Sequence, residues 1–325
     1  MKFLPDKFLC FLILAIAIAS IVPISGALEV WFSVATKLMV GLLFFLHGAK
    51  LSRQAVISST LHWRLHIMVF ATTFIIFPFI GFCIGLAVPV LKESPLYTGF
   101  LYLCILPSTI QSSIAFTAIA GGNIPAAIIS ASLSNILGLV ITPLWAFILF
   151  DTPQGVSILS VAAIESILFQ LFLPFLLGQV MQRWIGNFIQ KHRPWTTAVD
   201  RISIIMVVYL AFCQAMNEGL WRQISWHEVI MIIFIDIGLL AFILTFTWYG
   251  AKFLHFRRTD RITITFCGSK KSLAAGAPMA NALFASMPGS IGTIILPLML
   301  FHQIQLIACS IIARALSNKG TPHAR

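Results

Sequence analysis

The sequence predicts an all-α membrane protein with ten transmembrane helices. Of its 325 residues, 59% are hydrophobic and only 10% are charged, whereas about a quarter of the residues in an average soluble domain are charged. Apolar runs of about 20 residues, long enough to cross roughly 30 Å of bilayer hydrocarbon, recur along the whole chain. The lipid bilayer is therefore the expected main solvent and partner, and a soluble domain with a single anchor is excluded.

Ten apolar runs are candidate spans, and each is bounded by polar or turn-forming residues. The first run follows Lys2 and Lys7 and resembles the apolar part of a signal peptide, but the repeat described below requires it as a helix. The predicted spans are residues 8-24, 31-48, 67-91, 97-119, 124-150, 157-180, 201-217, 228-252, 262-284 and 289-314.

The basic residues indicate the orientation of the chain. A net charge of +11 would suggest nucleic acid as a partner of a soluble protein, but most of the 21 lysines and arginines lie in short loops on one side of the spans. Lys92 and Arg222 fall on the opposite side, and Lys37, Lys270 and Lys271 fall inside spans. Because basic loops stay in the cytoplasm, we expect a multi-pass protein of the cell inner membrane with both termini cytoplasmic and no nucleic-acid partner.

The chain is expected to form one transmembrane domain, residues 1-325, made of two halves. Its longest connections, near residues 49-66 and 181-200, are basic and are predicted to be cytoplasmic loops. With five spans in each half, residues 1-151 and 152-325, the second half enters the membrane with the opposite topology if the halves are related. This arrangement is typical of inverted-repeat secondary transporters, which work by alternating access.

Two spans, each the fourth of its half, are interrupted by polar residues. Proline removes a backbone hydrogen bond and glycine lowers the cost of unwinding, so each span can split into two half-helices with free backbone groups. If each polar run were instead an extramembrane loop, the remaining fragments would be too short to span. Because polar groups at membrane depth must face protein or water, we expect the two breaks to meet at a midplane binding site. The interruptions are Leu106-Pro107-Ser108-Thr109-Ile110-Gln111-Ser112-Ser113 and Cys267-Gly268-Ser269-Lys270-Lys271-Ser272.

The candidate binding residues are hydroxyls, amides and lysines in or beside the breaks. Glu165 and Asp236 lie within spans, and each is expected either to pair with a lysine of the second break or to carry a proton. Lys37 is expected to extend to the membrane surface, and no disulfide or zinc site is expected from the spacing of the six cysteines. The candidate substrate- or ion-binding residues are Gln111, Ser112, Ser113, Asn123, Ser130, Ser134, Ser269, Lys270, Lys271 and Ser272.

Three motifs lie in and beside the two breaks. They are Leu106-Pro107-Ser108-Thr109-Ile110-Gln111-Ser112-Ser113-Ile114-Ala115-Phe116-Thr117, Gly122-Asn123-Ile124-Pro125-Ala126-Ala127 and Gly268-Ser269-Lys270-Lys271-Ser272-Leu273-Ala274. Together they resemble the bile acid:sodium symporter-like family, in the branch of sodium/bile acid cotransporter 7. The resemblance implies ten helices in two inverted repeats, a core and a panel domain, and two discontinuous helices that cross at the binding site. It also implies carriage of a small organic anion with sodium, and a role for Ser112, Ser113 and Gln111 at the first break.

The second break departs from the pattern of the sodium-coupled members that this sequence resembles. Those members carry a glutamate two residues before the glycine, where this sequence has Phe266. Their glutamine and asparagine after the glycine appear here as Lys270 and Lys271. An ammonium group placed where sodium would sit repels the ion and can occupy its site, so we expect one of the two lysines to replace sodium as a fixed positive charge.

The leading functional hypothesis is a secondary transporter of a small organic anion that needs no cofactor. Coupling to sodium, coupling to protons through Asp236 or Glu165, and absence of coupling remain three alternatives. A regulatory membrane protein that keeps a transporter fold is an alternative of a different class. An enzyme is not expected, because the sequence contains no HExxH motif, no GxSxG motif and no close pair of intramembrane aspartates. The sequence makes no prediction of the oligomeric state.

Overall fold

A computed structural model shows a succession of helices in the described part of the chain. It describes residues 7–50, 62–150, 165, 168–217, 219, 224–284 and 291–318, and no β-strand occurs among them. Six helices of this described part are long and apolar enough to cross a bilayer. The all-helical, multi-pass membrane class predicted from the composition is therefore confirmed.

The helices are numbered here in chain order. Two of them adjoin π-helical turns, Thr72–Ile76 inside α3 and Leu168–Phe172 directly before α8. The helices are α1 (Lys7–Ile21), α2 (Ala27–Lys50), α3 (Trp63–Ala87), α4 (Pro89–Glu93), α5 (Leu96–Ile105), α6 (Gln111–Ile119), α7 (Ile124–Phe150), α8 (Leu173–Lys191), α9 (Arg193–Asn217), α10 (Trp226–Phe253), α11 (Arg258–Gly268), α12 (Leu273–Leu283) and α13 (Ile291–Asn318).

The predicted loop at residues 181-200 is wrong. Helix α8 continues to Lys191, and α9 begins at Arg193, so His192 alone separates them. The start of the predicted span 157-180 lies outside the described residues, and from Leu168 the π-turn and α8 together extend to Lys191, beyond its predicted end. Hydrophobicity marks where a helix leaves the lipid, whereas the backbone satisfies its own hydrogen bonds and can continue as helix into water.

The chain divides into two compact units, and each is assembled from three separate segments. The first unit comprises Met1–Ser52, Ala146–Ser225 and Ala274–Leu296. The second comprises Arg53–Trp145, Trp226–Leu273 and Pro297–Arg325. The halves predicted from the sequence, 1-151 and 152-325, are a division by repeat rather than by packing, and they stay a prediction.

The first unit is built around a close approach of α2 and α8. A Cβ atom added at Gly48 would collide with the carbonyl oxygen of Phe175, and one added at Gly178 would collide with that of Phe45. Only glycine permits this backbone separation, as is common where membrane helices pack. At the end of α2, Lys50 Nζ lies 3.1 Å from a carboxylate oxygen of Asp200, which ties α2 to α9.

The second unit packs α11 between two apolar clusters. One face of α11 contributes Ile264 and Cys267 to a cluster with side chains of α3 and α7. Another face contributes Ile262 and Phe266 to a cluster with α6 and α13. Between α6 and α7 the chain turns at Gly121, whose φ of 72° belongs to the left-handed region that glycine adopts without strain.

Candidate functional site

Both polar interruptions are real breaks in the helices. Helix α5 ends at Ile105, Leu106 is extended (φ −73°, ψ 155°), and α6 begins only at Gln111. Helix α11 ends at Gly268, and α12 begins at Leu273. Each break therefore leaves backbone groups without the intrahelical partners that a continuous helix would supply.

Side chains of α7 satisfy the backbone of the first break. The N–H group of Ser108 donates to Ser134 Oγ at 3.0 Å. The carbonyl oxygen of Ser108 accepts from Asn135 Nδ2 at 2.7 Å. Buried polar groups outside water require such partners, so α7 holds the first break in its unwound form.

The two breaks touch each other directly. Ser272 N donates to the carbonyl oxygen of Pro107 at 2.8 Å, and Ser108 Oγ donates to that of Cys267 at 2.6 Å. Ser113 Oγ also donates to the carbonyl oxygen of Phe266 at 3.2 Å. Backbone groups freed by one break are thus satisfied by the other, as expected for two breaks that meet at membrane depth.

The ammonium group of Lys271 joins three segments of the second unit. It is fully buried and donates to the carbonyl oxygens of Cys104 at 2.7 Å, Leu106 at 2.8 Å and Thr73 at 2.8 Å. It also lies 4.1 Å from the ring centroid of Phe77. An ammonium group has three N–H donors, so every donor of Lys271 is used by a main-chain oxygen.

Sequence features explain why these carbonyl oxygens are free. Cys104 and Leu106 lie at the end of α5, where the helix stops. At the π-turn of α3, the N–H group of Phe77 bonds to the carbonyl oxygen of Thr72, one residue before Thr73. The next residue, Pro78, has no N–H group, so no helical donor reaches the Thr73 oxygen from that position. Lys271 supplies the donor instead.

Gln305 of α13 holds the backbone of Lys271 from the other side. Its Oε1 atom accepts from Lys271 N at 2.9 Å, and its Nε2 atom donates to the Lys271 carbonyl oxygen at 2.9 Å. Nε2 also lies 2.9 Å from His302 Nδ1. Gln305 is not among the binding residues predicted from the sequence. The sequence did contain a clue, because an amide and an imidazole three residues apart lie on the same face of an otherwise apolar helix.

The neighbouring lysine has a different environment. Lys270 is also fully buried, but its ammonium group has no hydrogen-bond partner in the described part of the chain. It lies 3.8 Å from the ring centroid of Phe116 and 5.9 Å from that of Phe266. A cation above an aromatic face is stabilised by the ring quadrupole, so aromatic contacts replace hydrogen bonds here.

The other candidate residues are distributed around the breaks. Ser112 Oγ pairs with Thr109 Oγ1 at 2.6 Å, and Gln111 is exposed at the start of α6. Ser269 is buried, and its side chain lies beside the Cys309 thiol. Two residues bind elsewhere: Ser130 Oγ lies 2.7 Å from His66 Nδ1, and Asn123 Nδ2 donates to Asp260 Oδ1 at 2.9 Å. Asn123 therefore secures the turn after α6 rather than the break.

The two candidate carboxylates differ in burial. Asp236 of α10 is fully buried, and neither of its carboxylate oxygens has a hydrogen-bond partner in the described ranges. Glu165 is exposed. Within the part of the chain that the structure describes, Asp200 forms an ion pair with Lys50, and the His47 imidazole lies 3.8 Å from the same carboxylate. Neither Lys270 nor Lys271 pairs with a described carboxylate.

Comparison with known proteins gives a consistent set of relatives. A family model described as the SBF-like CPA transporter family matches residues 6–318. An uncharacterised protein of Pseudomonas aeruginosa is 47% identical over 96% of this chain and 93% of its own length. A putative symporter of Escherichia coli, YfeH, is 44% identical over 95% and 92%. Sodium/bile acid cotransporter 7 of Xenopus tropicalis is 27% identical over 94% and 90%.

Proposed function

Because the chain belongs to the SBF-like CPA transporter family, we propose that it is a secondary transporter that carries a small organic anion by alternating access around the two helix breaks. The family and the named relatives are transporters and symporters, so the protein is a transporter and not an enzyme. The organic anion is inferred from the chemistry of the breaks and from the name of the more distant relative.

The proposed membrane arrangement has ten spans in two inverted repeats, with core and panel domains. The protein lies in a bacterial inner membrane, with both termini on the cytoplasmic side. Support comes from the two broken helical pairs, α5 with α6 and α11 with α12, each interrupted midway. Further support is the concentration of lysine and arginine in connections on one side of the spans.

The observation that carries the proposal is the set of three carbonyl oxygens around the Lys271 ammonium group. In transporters with broken helices, unwound carbonyl oxygens coordinate the coupling sodium ion. Here a covalently attached cation occupies such a group of oxygens, at 2.7 to 2.8 Å. We therefore infer that Lys271 takes the place of sodium and that the carrier holds its breaks together without a coupling sodium ion.

The two lysines also account for the choice of an anion. Both are fully buried, and no described carboxylate pairs with either of them. Isolated positive charge is costly in low dielectric, so an anion that reaches the breaks gains electrostatic stabilisation. In this role Lys270 is the more available of the two, since the donors of Lys271 are already used.

A second candidate function is proton-coupled carriage, and Asp236 favours it. A carboxyl group that is fully buried without a hydrogen-bond partner costs far less as the neutral acid than as the anion. Intramembrane acidic residues of this kind commonly form proton relays in transporters. In this version Asp236 binds and releases the coupled proton during the transport cycle, and Lys271 still replaces sodium.

Uptake into proteoliposomes tests the proposal. The purified protein is reconstituted, and uptake of radiolabelled benzoate, succinate and taurocholate is compared with that into empty vesicles. We expect uptake of at least one of these anions, at the same rate with potassium in place of sodium. Uptake of none of the three would contradict the proposal and favour a regulatory protein that keeps a transporter fold.

A further inference from the structure

A basic pocket in the second unit has no part in the function proposed above. Its volume is about 270 Å³, and it lies where α3 begins and where α10 passes into α11. Trp63 begins and Phe253 ends two of the helices that are long enough to cross a bilayer, so the pocket lies at the depth of the lipid headgroups. We call it the Arg64 pocket, and its described lining residues are His62, Trp63, Arg64, Leu65, His255, Phe256, Arg257 and Asp260.

The charge of the Arg64 pocket favours an anion. Arg64 and Arg257 contribute two positive charges against the carboxylate of Asp260, and neither arginine forms an ion pair with a described carboxylate. Asp260 Oδ1 accepts instead from Asn123 Nδ2 at 2.9 Å. The two histidines of the lining add N–H donors, since even a neutral imidazole has one. All four basic side chains are exposed, so an anion can reach them from outside the protein.

An aromatic ring positions the Arg64 side chain. Its guanidinium carbon lies 5.5 Å from the ring centroid of Phe256, which also lines the pocket. A cation–π contact holds the charged group without using an acceptor atom, so the N–H groups stay available. Their planar, forked arrangement matches two oxygen atoms of one phosphate group. Arg64 is therefore held in the pocket with its phosphate-binding donors unused by this contact.

The turn between α10 and α11 carries His255 in an unusual conformation. Its φ of 60° belongs to the left-handed region, where helices most often end on glycine. The N–H groups of His255 and Phe256 donate to the carbonyl oxygens of Lys252 and Ala251 at 3.1 and 3.0 Å, the pattern that such a glycine usually completes. Glycine would make the same turn with less strain, so the turn alone does not explain the imidazole.

Apolar side chains continue from the pocket along the outside of the two spans. On α3, Trp63 is 60% exposed and Ile67, one turn further, is 55% exposed. On α10, Phe253 is 81% exposed and Tyr249, one turn earlier, is 61% exposed. Such surfaces face acyl chains, and aromatic side chains are enriched where headgroups meet hydrocarbon. A ligand with a phosphate in the pocket and acyl chains beside it uses both features, whereas free phosphate uses only the first.

The size of the pocket agrees with a headgroup. A cavity of about 150 Å³ holds a molecule of the size of benzene. At about 270 Å³, the Arg64 pocket has room for a phosphate with the glycerol attached to it, while acyl chains must lie outside.

We propose that the Arg64 pocket binds the phosphodiester headgroup of an anionic phospholipid. Arg64 and Arg257 bind the phosphate oxygens, His62 and His255 supply further donors, and the acyl chains lie against Trp63 and the apolar outer side of the spans. Basic pockets at the cytoplasmic ends of transmembrane helices commonly bind anionic headgroups, and the proposed orientation assigns this end to the cytoplasm. The proposal goes beyond the transport proposal, because binding of a lipid at this place requires no transport.

Native mass spectrometry of the full-length protein in detergent tests the proposal, with dioleoyl phosphatidylglycerol as the probe. Dioleoyl phosphatidylcholine has the same phosphodiester and acyl chains without the net charge, and glycerol phosphate has the phosphate without the chains. We expect the first phosphatidylglycerol to bind about tenfold or more tightly than phosphatidylcholine, and glycerol phosphate at an equal concentration not to displace it. Arg64→Gln and Arg257→Gln should each weaken phosphatidylglycerol binding about 10- to 100-fold, since each removes a charge-assisted hydrogen bond.

Two further variants separate the pocket from general effects. Arg314→Gln removes an exposed arginine of the same unit that does not line the pocket, and it should leave binding unchanged. His255→Gly removes the imidazole and relieves the left-handed conformation, so it should weaken binding without lowering the thermal midpoint. The midpoints of Arg64→Gln and Arg257→Gln without added lipid show whether these two variants are folded.

Three results would overturn the proposal. The first is equal binding of phosphatidylglycerol and phosphatidylcholine. The second is displacement of phosphatidylglycerol by glycerol phosphate at an equal concentration, which would make the pocket a site for a soluble phosphate ester. The third is phosphatidylglycerol binding as tight in both folded arginine variants as in the wild type. None of these measurements involves uptake, so the lipid site and the transport proposal stand or fall separately.

Discussion

Replacing Lys271 by methionine should destabilise the protein much more than the same change at Lys270. The two residues form a matched pair, since they are adjacent and both are fully buried. Each ammonium group lies about 4 Å from an aromatic ring centroid, at 4.1 Å for Lys271 and 3.8 Å for Lys270. The difference is that Lys271 makes three hydrogen bonds to carbonyl oxygens, whereas Lys270 makes none to described residues.

The expected size of the difference follows from these contacts. Methionine removes a buried charge and a cation–π contact at either position, so these two contributions largely cancel in the comparison. What remains is three buried carbonyl oxygens left without a donor in Lys271→Met, at about 1–3 kcal/mol each. Lys271→Met should therefore be about 3–9 kcal/mol less stable than Lys270→Met. The stability of Lys270→Met should equal or exceed that of the wild type.

Thermal unfolding of the purified full-length variants in one detergent measures this difference through tryptophan fluorescence. Since the unfolding entropy is about 2.1 cal/mol/K per residue, a change of 1 kcal/mol shifts the midpoint of a 325-residue chain by roughly 1.5 °C, and the two midpoints should differ by at least about 4 °C. If Lys270→Met lowers the midpoint as much as Lys271→Met, the three carbonyl contacts do not hold the breaks together, and the reasoning fails.

Three further predictions concern other residues. Gln305→Leu should lower the free energy of unfolding by about 2 kcal/mol, because two hydrogen bonds to the Lys271 backbone disappear. Gln303→Leu on the same helix should stay within about 0.5 kcal/mol of the wild type in the same denaturation experiment. Asp236→Asn should keep anion uptake but abolish its response to an imposed pH gradient, and a retained response would exclude Asp236 as the proton carrier. In a cysteine-free background, His192→Cys should react with an impermeant maleimide from the cytoplasmic side and Glu93→Cys from the opposite side, and the reverse pattern would refute the orientation.

The helix breaks could be predicted from sequence because their cause is local. Pro107 and Gly268 lie among hydroxyl, amide and lysine side chains inside otherwise apolar runs, and only unwound backbone at a protein-lined site tolerates such residues. That one lysine would replace sodium could also be proposed from the resemblance. The structure assigns the carbonyl contacts to Lys271, and the sequence could not choose between the two lysines.

The choice between the lysines depends on tertiary contacts. The Thr73 oxygen that binds Lys271 is almost 200 residues away in the chain, at a separation of 198. The Thr73 oxygen lacks a helical donor because Pro78 has no N–H group. Its proximity to the second break follows instead from the packing of α3, which no local sequence pattern encodes. Gln305 was missed for the same reason, since an amide in an apolar run identifies a buried contact but not its partner.

Lys37 shows how little a single helix says about the surroundings of a polar side chain. An isolated lysine in a long apolar helix is expected to extend to the membrane surface, which is the usual behaviour of such side chains, and this stays a prediction. In the structure Lys37 is exposed, and it also lines a cavity with Gln170, Gln214 and Asn281 from three other segments. The sequence could not supply these neighbours, because they come from distant parts of the chain.

If Lys271 takes the place of a coupling sodium ion, as we propose, anion uptake should not depend on sodium. Proteoliposomes with the wild-type protein are given an inward sodium gradient or an equal potassium gradient, and the initial rates of uptake of benzoate, succinate and taurocholate are compared. Because the three carbonyl oxygens already bind an ammonium group, we expect the same rate under both gradients. A sodium gradient that accelerates wild-type uptake tenfold or more, where potassium does not, would contradict it.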